Sequence, residues 1–270
     1  MVQNLDNPEC VTKNRLRDDL ETLGLRRGAV VMLHASVKQI GWIVGGPDQV
    51  LQAILDVIGG AGTLMMLVSW EGHTYDLRDW PADRRRLYGR HCPGYDPKTS
   101  RADHREMGIL AEYLRTWPGA CRSRHPFSYA AVSGRAEYMV ADHPWQYRDG
   151  AGSPLAKLCE AGGKVLLLGE LYANVTLLHH AEHLADVEDK QIDRYTMPVM
   201  RDGKRVWMEF EEYDTTGGIV PWPEDYFPVI VKEYLQSGKG QTGQVGLAES
   251  SLFDAESLKR FGVQWMEEHF

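Results

Sequence analysis

The sequence predicts one mixed α/β domain with an inserted lid-like segment and an antiparallel tail, and three stretches carry that prediction. Between Ala29 and Ser69 an apolar strand, an amphipathic helix and a second apolar strand follow one another, the pattern of a β-α-β unit. Such a unit pairs its strands in parallel through a right-handed crossover. Between Gly162 and Leu184 a short apolar run bounded by glycines gives way to a polar turn and then to helical spacing. Further on, Asp202-Gly203 separates two strand-like segments, Tyr195–Met200 and Val206–Tyr213, and signals a hairpin.

Taken in order, Thr12 is placed to cap a first helix whose Leu16, Leu20 and Leu23 form one stripe and which stops at Gly24. Ala29 to Leu33 is a continuous apolar strand, with His34-Ala35-Ser36-Val37-Lys38 at its C-terminal end. After Gly45-Gly46, Pro47 opens a helix that turns Val50, Leu51, Ile54 and Ile58 inward and ends at Gly59-Gly60. Thr63 to Ser69 is the next buried strand. From Trp70 to His104 periodicity disappears and Pro81, Pro93, Gly94 and Pro97 interrupt the chain. A run this long without structure is either disordered or a functional lid. Its aromatic residues Trp70, Tyr75, Trp80, Tyr88 and Tyr95 weigh against disorder. The expectation is therefore a substrate-covering loop over about residues 70–105, carrying Glu71, Asp76, Asp79, Asp96 and Asp103.

Helical spacing resumes from Met107 to Trp117, a strand follows over Tyr129–Val132, and a short helix lies around Ala136–Val140. Pro154, after Gly152-Ser153, starts a helix with Leu155 and Leu158 inward, which feeds the strand Val165–Leu168. Thr176 then opens the helix that carries His179, His180, Glu182 and His183. Beyond the hairpin, a helix is expected over about Val229–Leu235 and a last strand over Gly243–Leu247. Asp254 caps a C-terminal helix with Leu258, Phe261 and Trp265. No repeat or low-complexity tract interrupts residues 1–270, which read as a single domain.

Composition narrows the function classes. With 43% hydrophobic and 25% charged residues the chain is an ordinary globular one, and no apolar run approaches the ~18 residues of a membrane span. The start, Met-Val-Gln-Asn-Leu-Asp-Asn, lacks the basic and apolar regions of a signal peptide. Cys10, Cys92, Cys121 and Cys159 are scattered, with no zinc or disulfide spacing. A reduced cytoplasm is the expected setting. The net charge of −8, without a block of Lys or Arg, argues against nucleic acid as a partner and leaves room for a cationic ligand.

His179, Glu182 and His183 lie three and four residues apart, on one helical face just after a buried strand. Open α/β sheets place their chemistry at such a strand end. A neutral imidazole is the usual base near neutrality, and a carboxylate on its other nitrogen fixes the tautomer and raises its basicity. The bland alternative is a solvated helix face with incidental histidines. The same letters also match His-x-x-Glu-His, in which His179 and His183 would hold zinc and Glu182 would act as base. That site needs a third ligand downstream, and only dispersed acids such as Glu233 and Glu249 offer one. No Gly-x-Ser-x-Gly elbow, Walker A loop or Gly-x-Gly-x-x-Gly turn is present. The acids from Glu209 to Asp214 form either an edge strand blunted by charge or a wall for a polycation.

The chain resembles the aminoglycoside 3-N-acetyltransferases from Val30 to Phe270. The resemblance rests on Val31-Met-Leu-His-Ala-Ser36, Gly45-Gly46-Pro47, Gly62-Thr-Leu-Met-Met66, Tyr95-Asp-Pro-x-Thr99 and Arg122-Ser-x-His-Pro126. It continues through Gly152-Ser-Pro-Leu155, Val165-Leu-Leu-Leu-Gly169, Val175-Thr-x-Leu-His179, Ala181-Glu182, Phe210-Glu211 and Leu252-Phe-Asp254. It implies a three-layer α/β/α fold with a mixed sheet, distinct from the common N-acetyltransferase fold and its pyrophosphate-binding loop.

It also implies acetyl transfer from acetyl-CoA to the 3-amino group of a deoxystreptamine aminoglycoside, conferring antibiotic resistance, with no metal and no membrane or nucleic-acid partner. His179 is then the general base and Glu182 its orienting partner. Acetyl-CoA contacts carry over to His34, Ser36, Val37, Lys38, Ser123, Ser153 and Thr176. An oxyanion needs donors, for which Thr176 and backbone amides near Ser36 or Val37 are candidates. A cationic aminoglycoside gives a reason for Trp70, Glu71, Asp76, Asp96 and Asp103 in the lid and for Glu211, Glu212 and Asp214. His180 and His183 depart from the family pattern, which has an aromatic or apolar residue and a small residue there. They leave open metal affinity or altered pocket packing, and acetylation of a different amine is the alternative activity.

Overall fold

The computed structural model describes residues 10–72, 77–223 and 225–270, the side chain of Arg78 excepted. Asp76 and Tyr75 therefore lie outside the described residues. The chain opens with β1 (Cys10–Val11) and α1 (Lys13–Leu23). Thr12 caps α1 by accepting from the Arg15 amide at 3.2 Å, and Gly24 ends it at φ 111°. There follow β2 (Val30–Ala35), the one-turn α2 (Val37–Ile40), β3 (Trp42–Ile43), α3 (Asp48–Ile58) and β4 (Thr63–Leu67). The next group is α4 (Ala82–His91), α5 (Ile109–Arg115), β5 (Cys121–Arg122), β6 (Tyr129–Val132), α6 (Ala136–Val140) and α7 (Pro154–Glu160). Then come β7 (Lys164–Leu168), α8 (Leu177–Leu184), β8 (Ile192–Arg201), β9 (Lys204–Tyr213), α9 (Tyr226–Gln236), β10 (Gln241–Val245), β11 (Ala248–Asp254) and α10 (Ala255–His269).

Among the described residues one sheet has seven strands, in the order β10-β11-β7-β2-β4-β6-β5. Its centre is parallel: β2 pairs with β4 through Met32 and Met65, and with β7 through Leu33 and Leu166. Both flanks are antiparallel. Alternation along the strands separates two apolar layers. Val31, Leu33, Leu64, Leu166 and Leu168 face α1, α3 and α5, while Met32, Met65, Val165 and Leu167 face α7, α8, α9 and α10. This is a three-layer α/β/α sandwich with a mixed sheet. No described helix is long and apolar enough to cross a membrane.

Two expectations need correction. The segment after β4 is not structureless. It contains α4 and is anchored by a bridge from Trp70 to Ala102 and another from Tyr95 to Val199 on β8. Helix α4 has no buried residue, so it offers no apolar stripe from which a helix could be inferred. The tail has one strand more than expected. β10 spans Gln241–Val245 and turns at Gly246 into β11, which pairs directly with β7. Ser250 and Ser251 are buried in the middle of β11, so polar letters interrupt the apolar pattern of Ala248, Leu252 and Phe253 that would mark a strand.

The hairpin β8–β9 turns at Asp202-Gly203, both at positive φ, and forms a separate two-stranded sheet. It closes a third apolar cluster in which Tyr195 stacks on Phe210 beside Phe127, Tyr95 and Trp70. The Arg122 guanidinium ties the segment at Ser100 to the chain just after β4 by donating to the Val68 carbonyl at 2.7 Å and to that of Ser100.

Candidate active site

The three parallel strands β2, β4 and β7 end on one side of the sheet, and the chain leaving each of them lines a cavity of about 790 Å³. From β2 come His34, Ser36, Val37 and Lys38; from β4, Leu67 and Ser69; after β7, Asn174, Thr176 and His179. The opposite walls are Arg105–Ile109, Arg148-Asp149 and Thr215-Thr216. This is the crevice beyond the carboxyl ends of the strands that α/β sheets use for ligands.

His179 reaches the wall from the first turn of α8. Its Nδ1 lies 2.6 Å from Glu182 Oε2, one turn along the helix. The other Glu182 oxygen accepts from the Tyr226 hydroxyl. Glu182 is 2% exposed, so both oxygens of a buried carboxylate are matched by donors. A carboxylate at Nδ1 places the ring proton there and leaves the Nε2 lone pair as the basic nitrogen. Burial opposes a charge on His179, but Glu182 and then Asp149 outweigh it and hold its pKa above the ordinary value.

Asp149 is 1% exposed and also belongs to the wall. It accepts from the Tyr129 hydroxyl at 2.9 Å and pairs with Arg148 Nε at 3.2 Å. Burial pushes its carboxyl upward, yet Arg148 and then His179 overcome this and keep its pKa below the usual value. Arg148 reaches further, to the Tyr195 hydroxyl at 3.0 Å and Thr215 Oγ1 at 3.3 Å, and lies over the Phe127 ring.

The remaining histidines of α8 have other duties. His180 Nδ1 donates to the Asp149 carbonyl at 2.8 Å, fixing the loop that presents Asp149. His183 does not line the cavity: its Nε2 lies 2.8 Å from Glu212 Oε1, and a Cβ on Gly150 would come within 3.0 Å of its Nδ1. No group of three His, Cys, Asp or Glu side chains able to hold a metal occurs among the described residues.

The acetyl-CoA candidates divide. His34, Ser36, Val37, Lys38 and Thr176 share the cavity with His179, and Ser123 and Ser153 do not. Ser153 caps α7 through the Ala156 amide at 3.0 Å and is fully buried. Ser123 accepts from the Tyr129 amide at 3.0 Å and lies 3.0 Å from His143 Nδ1. Since His143 Nε2 donates to the Arg148 carbonyl at 3.0 Å, Ser123 donates to Nδ1 and supports the Arg148 loop from behind.

Among the described residues, the candidates for the cation do not line this wall. Trp70 is 4% exposed in the third cluster. The Asp96 and Asp103 carboxylates accept from nearby amides, those of Lys98 and Arg105, and Glu71 is exposed. Glu211 is paired with Arg194 at 2.6 Å and Tyr147 at 2.6 Å. Asp214 accepts from the Thr216 and Gly217 amides, shaping the turn that carries Thr215 and Thr216 into the cavity. Among the described residues the carboxylates that do line the wall are Asp149 and Glu106. Neither they nor Tyr226 stood out in the sequence, because Arg148-Asp149 falls in an aperiodic connection and Tyr226 is 44 residues from its partner.

The chain matches the aminoglycoside 3-N-acetyltransferase family over residues 32–267. It belongs to that family. It is 43% identical to aminoglycoside N(3)-acetyltransferase VII of Streptomyces paromomycinus, over 99% of this chain and 95% of that one. Among solved structures it resembles AAC-IIIb in a binary complex with CoASH, with a TM-score of 0.91, 44% identity and coverage of 97% and 98% of the two chains. It also resembles AAC-VIa bound to sisomicin, with a TM-score of 0.88, 34% identity and coverage of 96% and 98%. The aminoglycoside 3-N-acetyltransferase fold thus accounts for the α/β/α layers.

Proposed function

We propose that this protein transfers the acetyl group of acetyl-CoA to the 3-amino group of a deoxystreptamine aminoglycoside, with His179 as general base. The observation that carries the reading is the His179–Glu182 contact of 2.6 Å at the wall of the cavity where β2, β4 and β7 end. Family membership and the CoASH and sisomicin complexes of its relatives support the substrates.

An ammonium group has no lone pair to attack with. The ammonium therefore loses one proton to solvent before it attacks; His179 Nε2 takes the second as the nitrogen adds to the thioester carbonyl, and Glu182 stabilises the imidazolium that forms. The C–N bond forms, the tetrahedral oxyanion collapses, and the C–S bond breaks to release the thiol of CoA with the proton. Thr176 and the first amides of α2, next to Ser36 and Val37, lie on the same wall and suit the oxyanion. Lys38 and Arg105 suit the phosphates of acetyl-CoA, while Asp149 and Glu106 suit the ammonium groups. Among the described residues of the segment over about residues 70–105, Arg105 lines this cavity. The free thiols of Cys10, Cys92, Cys121 and Cys159 support a reducing, cytoplasmic setting. Acetylation removes one positive charge from the antibiotic, the physical basis of resistance.

Thiol release from acetyl-CoA, followed across a panel of aminoglycosides and simple amines, tests the reading. Release with deoxystreptamine antibiotics and an acetyl group on N3 by NMR are expected. Release only with simple amines would replace the aminoglycoside by another acceptor.

A further inference from the structure

Glu182 orients His179, and Tyr226 in turn holds Glu182. The Tyr226 hydroxyl donates to Glu182 Oε1 and accepts from the Ile219 amide at 3.2 Å. Its proton is therefore directed to the carboxylate, because the amide occupies its acceptor side. The ring is 5% exposed and wedged between Phe227 and Phe270, with Trp265 stacked at 6.4 Å. Gly218, at φ 87°, packs its backbone so closely that a Cβ would meet Tyr226 Cε1 at 3.0 Å. Burial, and then the charge of Glu182, push the phenol pKa upward, so Tyr226 remains a donor. The loop it touches through Ile219 is the one that brings Thr215 and Thr216 into the cavity.

We infer that Tyr226 is a positioning residue for acetyl transfer: it locks the Glu182 carboxylate, moderates its pull on His179, and links that pair to the substrate-facing loop. The inference rests on the assignment of His179 as base. A hydrogen bond from Tyr226 draws off part of the carboxylate charge that His179 feels. Removing it leaves the full charge facing the imidazole, which then holds its proton to higher pH. The other charged groups facing His179 are Asp149 and Arg148 from the loop before α7, while α9 presents the Phe227 ring, 4.8 Å away.

The test compares wild type, Tyr226→Phe, and a protein carrying 3-fluorotyrosine at position 226, whose hydroxyl is a stronger donor of nearly the same size. The measured quantity is kcat/KM against pH, with acetyl-CoA and an aminoglycoside that the wild type turns over. Tyr226→Phe is expected to lose about tenfold in kcat near neutral pH, with its acid limb moved to higher pH and the KM for acetyl-CoA unchanged. The fluorotyrosine protein is expected to move the limb the other way. A purely structural role moves neither limb, and coincident limbs overturn the inference. If Tyr226→Phe does not fold, the fluorotyrosine protein decides. If the wild type transfers acetyl to no amine, the functional reading fails, and NMR titration of the His179 ring in the same proteins decides the Tyr226 role separately.

Discussion

Glu212 turns inward from the hairpin to His183, with Nε2 and Oε1 2.8 Å apart and both side chains buried. Glu212 Oε1 also accepts from the Tyr213 amide at 2.9 Å. The contact holds β9 against α8, the helix that carries His179. Removing one partner strands a buried charge, which costs about 3–5 kcal/mol. His183→Ala is expected to show a loss of that size in urea unfolding. The double replacement His183→Leu, Glu212→Leu is expected to lose less. Wild-type stability in His183→Ala would contradict a pinning role.

Activity should rise with pH through a limb above the ordinary histidine value of 6.5, because the pKa of His179 is raised and only its neutral form is a base. Asp149 contributes to that rise. Asp149→Asn is therefore expected to move the acid limb to lower pH, in the direction opposite to Tyr226→Phe. A pH–rate profile of the folded variant checks the sign.

Stability should fall on the acid side for a separate reason. Burial depresses His34 and His143 from 6.5 to about 4, so both are neutral when folded. Unfolding lets them bind protons, and their contribution is present above 6.5 and lost as pH falls through about 4. His179 runs the other way: its raised pKa contributes fully below 6.5 and fades as pH rises through its folded value. Unfolding free energies measured across this range should decline toward acid. His143→Gln should flatten the decline.

Local signals made most of the fold legible. Thr12, Ser153 and Asp254 each cap the helix that follows them, and Asp202-Gly203 makes its turn. Helical spacing likewise brought His179 to Glu182. Features set by tertiary context stayed hidden: α4 has no apolar stripe, and β11 buries serines between two partner strands. The acids of β9 show what strand alternation adds to composition. Phe210 and Glu212 share the buried face, while Glu209 and Glu211 share the outer one. Asp149 and Tyr226 could not be read in advance, since their roles come from contacts across the fold.

The central claim, that His179 is the base, is tested most directly by single-turnover acetyl transfer in His179→Ala, with acetyl-CoA binding and thermal unfolding measured on the same protein. The expected result is a loss of at least about 100-fold in transfer with binding and folding retained. Transfer within about threefold of wild type, too little for the loss of a general base, would contradict it.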